Sequence, residues 1–156
     1  MKTAFRLSIV VVAIAISSVT VRASSFSSWP VISGQVSGIE LCPQSICTVA
    51  IFTGFFKGQV GIFPNAVGTI NVAVHHGLLP TVKDACTPVP DGVWALRTLL
   101  RKVEGVTAGL LCYNGDNTFR IDVGMQITSG GVGQLHFEGT LDHNVFPPTI
   151  KGDITQ

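Results

Sequence analysis

Ten residues, Thr118 to Ile127 (TFRIDVGMQI), constrain the fold more than any other stretch. Phe119, Ile121, Val123, Met125 and Ile127 share one parity, while Arg120, Asp122, Gly124 and Gln126 share the other. Side chains on a strand point alternately to opposite faces, so a period of two marks a strand with one buried face and one wet face. Gln134 to Asp142 (QLHFEGTLD) repeats the pattern, with Leu135, Phe137 and Leu141 on the inward parity. Ser129-Gly130-Gly131 lies between the two segments and reads as a turn, so they should pair as an antiparallel hairpin. Asn114-Gly115-Asp116-Asn117 joins the first of them to Val106–Tyr113 in the same way, which extends the hairpin to a three-stranded meander.

Further strands are expected over Val31–Leu41, Thr48–Phe56, Gly58–Phe63, Val67–His76 and Ile150–Ile154. The last follows Pro147-Pro148 and is expected at a sheet edge, where the lost N–H groups cost least. One segment departs from alternation. Val93, Leu96, Leu99, Leu100 and Val103 fall on one arc of a helical wheel, after Asp91 and before Gly105. This predicts a short amphipathic helix over 92–104, reached through a long proline-containing loop at 77–90. The fold class is therefore mainly β, an antiparallel barrel or sandwich carrying one helix.

The N-terminus speaks to compartment. Lys2 and Arg6 precede the apolar run Ile9–Ile16 (IVVVAIAI), and Ser17–Ala23 ends in a small residue. That is the pattern of a secretory signal peptide over 1–23, cleaved after Ala23. The apolar run is shorter than the roughly 20 residues a membrane helix needs, so a retained anchor fits less well. Residues 24–156 are then expected to form one secreted or periplasmic β-rich domain with no membrane span. Removing 23 of 156 residues leaves 133, and the loss of Lys2, Arg6 and Arg22 takes the basic count from 10 to 7 against 9 acidic residues. A net charge of −2 without a basic stripe excludes nucleic-acid binding.

All four cysteines, Cys42, Cys47, Cys86 and Cys112, lie in that domain. An even number in an exported chain reads as disulfides, and 42–47 with 86–112 is the preferred pairing. Zinc ligation would need four converging thiolates, and a redox pair would need a two-residue spacer at a helix start; neither pattern is present.

No nucleophile elbow and no phosphate-binding loop occur, and no cofactor is implied. The weak catalytic candidates are His75, His136, Glu138 and Asp142, which alternation places on outer faces; His75, His136 and Glu138 would suit a metal if neighbouring strands brought them together. His76 has the opposite parity and should fill a partly buried position. Three functions remain in view: a secreted non-enzymatic domain binding a small molecule or an extracellular surface, a small extracellular enzyme using the histidine–carboxylate face, and a structural or assembly subunit, with homo-oligomers possible.

Overall fold

A computed structural model describes residues 31–43 and 47–156, so the expected signal peptide and the tip of the first cysteine turn lie outside the described residues. Nine strands follow one another: β1 (Ile32–Leu41), β2 (Val49–Val60), β3 (Phe63–His75), β4 (Cys86–Val89), β5 (Asp91–Thr98), β6 (Lys102–Tyr113), β7 (Thr118–Ser129), β8 (Gln134–Asp142) and β9 (Thr149–Thr155). Eight of them close into an antiparallel barrel in the order β1-β2-β3-β5-β6-β7-β8-β9, and β9 returns to pair with β1. The short β4 pairs with the half of β6 that β5 leaves uncovered. Closure removes the exposed edges that would template aggregation.

The alternation in β7 and β8 holds as expected. Phe119, Ile121, Val123, Met125 and Ile127 face the core with Leu135, Phe137 and Leu141. Fully burying a side chain of this size stabilises by roughly 1.5–3 kcal/mol, so this half of the barrel carries much of the fold's hydrophobic drive.

The helix expected over 92–104 is absent; the segment is the β5–β6 hairpin. Inward parity on β5 belongs to Trp94 and Leu96, both buried, and on β6 to Val103. Leu99 and Leu100 sit at the hairpin tip, where Thr98 Oγ1 accepts the N–H groups of Leu100 (3.4 Å) and Arg101 (3.1 Å). The tip shifts the phase of alternation between the two strands, and that shift imitated a helical arc. Trp94 was the contrary sign, because the arc left a buried tryptophan outside it. The loop at 77–90 likewise contains β4, whose Pro88 is tolerated because β4 pairs on one side only.

Two other expectations change. Thr48–Phe56 and Gly58–Phe63 are not separate strands: β2 runs unbroken through Gly58, and the turn falls at Gly61, whose φ is 63°. The terminal strand is not an edge, since β9 pairs with β1 on one side and β8 on the other. The terminal strand therefore offers no free edge to an assembly partner.

Inward-facing glycines explain both the unbroken β2 and the tight barrel. Gly34 stands opposite Gly58, and Gly38 opposite Gly54. A Cβ on Gly34 would lie 2.5 Å from the carbonyl oxygen of Lys57, and one on Gly54 would lie 2.5 Å from that of Ser37. β1 and β2 therefore coil more sharply than side chains on that face would allow. Elsewhere an aromatic ring covers the gap. Trp94 lies over Gly105, its paired neighbour, and donates its indole N–H to the carbonyl of Val106 at 3.1 Å.

Both disulfides form as paired in the sequence reading. Cys42–Cys47 staples the β1–β2 connection, and Cys86–Cys112 joins residues directly opposite on β4 and β6. Such bridges belong to an oxidising compartment, extracellular or periplasmic.

Candidate functional site

The inward parity of β1 runs Ile32, Gly34, Val36, Gly38 and ends on Glu40, which is 2% exposed. A carboxylate on the inner wall of a barrel needs compensation, because its desolvation costs several kcal/mol. His143, just beyond β8, supplies it: its Nε2 donates to Glu40 Oε2 at 2.8 Å. The His143 ring packs against Phe119 with centroids 5.1 Å apart, and Phe119 against Tyr113 at the same separation. The Glu40 N–H donates to the carbonyl of Pro148, so the β8–β9 connection fixes both members of the pair.

The inward parity of β3 ends in the same place. Ile70, Val72 and Val74 lead to His76, which is buried. Its Nδ1 lies 2.7 Å from the carbonyl oxygen of Gly77. A carbonyl only accepts, so Nδ1 carries a hydrogen and Nε2 is left as the position that faces the other groups. That Nε2 is 3.8 Å from Cys47 Sγ, which is itself 3.8 Å from Glu40 Oε1. Glu40, His76, His143 and the Cys42–Cys47 bridge thus form a polar pole at the end of the barrel where β1, β3 and β8 finish.

Below this pole lies a cavity of about 70 Å³, walled by Val36, Phe52, Val72, Val74, Val123, Met125 and Phe137 among others. His76 is the one ionisable residue in its lining. Thr107 also lines it, but its hydroxyl is committed to the carbonyl of Gly124 at 2.8 Å. The chamber is therefore apolar almost throughout, and the two ring nitrogens of His76 are turned to Gly77 and to the Cys47 side.

As a metal centre the pole is incomplete. Donor atoms of Glu40, Cys47 and His76 lie within 4.8 Å of one another, but the Cys47 sulfur is bonded to Cys42 and is no thiolate. His143 occupies the other carboxylate oxygen, away from His76.

The outer-face residues singled out from the sequence are not brought together. His75 on β3 and His136 on β8 stand four strands apart around the ring in either direction. His75 Nδ1 pairs with Asp91 at 2.6 Å, and His136 Nε2 lies 3.5 Å from Asp122. Glu138 sits in register between Asp122 and Asp153, and Asp142 accepts the N–H of Asn144. Each has a local structural partner or a wet position. Among the described residues the clearest carboxyl shift is at Asp116, held below its ordinary range chiefly by the hydroxyl of Thr118.

Compared with known proteins, the chain matches no family model, no curated protein and no solved structure. The site must be read from its own chemistry. Glu40 was not singled out in the sequence, although an acid ending the parity Ile32–Val36 was the available signal. His76 was assigned a partly buried place but no role, and His143, just past Asp142, was given none.

Proposed function

We propose that this chain is an exported, disulfide-stapled β-barrel that binds a small apolar molecule inside the barrel, beside His76. The observation that carries this reading is the chamber: about 70 Å³, apolar on nearly every side, with a single ionisable group in its wall. Binding sites combine an apolar lining with a few placed polar groups in this way. An apolar cavity of roughly 150 Å³ accepts benzene, so the chamber suits a branch or chain of a few carbon atoms. Glu40 and His143 serve the site indirectly, as the buried pair that fixes the pole beside His76.

Export rests on the N-terminal pattern Lys2–Ala23 together with two disulfides, which persist in oxidising compartments. An enzymatic reading would now rest on His76 and the Glu40–His143 pair and not on the scattered outer-face histidines.

The test is a titration with short branched alcohols, followed by methyl NMR. Shifts should concentrate on Met125, Val123 and Val72, with affinity rising as carbons are added until the chamber is full. Val72→Phe, which fills the space, should abolish the shifts while leaving the barrel folded. Shifts confined to surface methyls, or unchanged by Val72→Phe, would overturn the reading.

A further inference from the structure

We infer that the pole of the barrel opposite Glu40 docks onto an anionic lipid surface. Three hairpins end there, β2–β3, β5–β6 and β7–β8, and each carries a large aliphatic residue at its tip. Ile62 is 85% exposed, Leu99 97%, and Leu100 and Val132 about two-thirds. Hairpin tips are ordinarily polar, with glycine, asparagine or aspartate where the turn needs them. Here the only charged residue within the three tips is Arg101, with exposed Arg97 and Lys102 flanking it on β5 and β6. The nearest acid, Glu104, is paired with Lys102.

Charge separates this pole from the other. The Glu40 end also exposes apolar side chains, Leu78 and Phe146 among them, but the same end carries Asp84, Asp91, Asp116 and Asp142 against Lys83. Aliphatic tips with Arg97 and Arg101 on the central β5–β6 hairpin fit the boundary between lipid headgroups and acyl chains, whereas the acidic pole would be repelled by anionic headgroups. The wall formed by β7, β8 and β9 is not lipid-facing, because its outer face carries Arg120, Asp122, Glu138, Lys151 and Asp153, whereas β2, β3, β5 and β6 expose Phe55, Val67, Val93 and Val106 together with Lys57. Contact is therefore made through the tips and not through the β7–β9 wall. This inference does not depend on the interior chamber binding anything.

Vesicle flotation of the exported chain, purified without residues 1–23, tests it, using phosphatidylcholine vesicles with and without phosphatidylglycerol. The protein should float with the phosphatidylglycerol vesicles, and added salt should weaken this. Leu99→Ser combined with Leu100→Ser should cut the bound fraction roughly tenfold or more, with the circular dichroism spectrum unchanged because both side chains are exposed. Arg97→Gln should reduce only the preference for phosphatidylglycerol. Absence of flotation, or flotation unaffected by the double substitution, would overturn the inference. So would loss of a dimer in the double variant without any lipid binding, which would assign the tips to a second copy of the chain.

Discussion

His143 donates to Glu40 at 2.8 Å across 103 residues of sequence, and the carboxylate it reaches is almost wholly buried. The pair ties the end of β8 to the end of β1, strands that are not neighbours, since β9 lies between them. Removing one partner leaves an uncompensated charge inside the barrel. His143→Ala should therefore cost about 2–4 kcal/mol in urea unfolding, more than an exposed ion pair could account for. Glu40→Gln, which keeps a hydrogen-bonding group in place, should cost less than Glu40→Ala.

The glycines should divide by face. Gly54→Ala puts a Cβ against the backbone of β1 and is expected to destabilise by about 3 kcal/mol or cause misfolding. Gly124 is on the outer face, and the nearest atom to an added Cβ is 3.9 Å away. Gly124→Ala should be neutral or stabilise by up to about 1 kcal/mol, because it restricts the unfolded chain. Thermal unfolding of both variants provides the comparison.

The two disulfides should contribute unequally. Cys86 and Cys112 are 26 residues apart and Cys42 and Cys47 only five. In the chain-entropy model the double serine variants lose about 3.5 and about 2 kcal/mol respectively. Denaturant midpoints of the two variants test the order.

Asp116 gives a pH signature. Thr118 donates to its carboxylate through the hydroxyl at 2.6 Å and the backbone N–H at 3.2 Å, so the folded pKa lies below the ordinary value of 3.8. A depressed carboxyl stabilises the folded state above its unfolded pKa and loses that contribution as pH falls through the folded one. The protection of the 114–118 amides relative to their intrinsic exchange rate should therefore fall as pH drops below 3.8, and Asp116→Asn should remove that dependence.

The strand meander from Val106 to Asp142 was legible because each strand has one wet face, which writes burial into the sequence as alternation. The β5–β6 hairpin was not, because its apolar tip supplied Leu99 and Leu100 where a polar turn was expected. β2 was split at Gly58 for a related reason: a glycine facing a paired glycine looks, in sequence, like a turn. The polar pole was hidden by distance. Glu40 lies near the end of β1, His76 and His143 begin two separate connections, and only barrel closure makes them neighbours. The outer-face histidines were visible individually, but their separation by four strands depended on ring order, which alternation does not encode.

Xenon pressurisation of crystals tests the central claim most directly, since xenon enters apolar cavities regardless of the natural ligand. The account predicts xenon inside the barrel, between Val72, Val123 and Met125 and below His76. An interior that takes no xenon, or that is filled by ordered water, would contradict it.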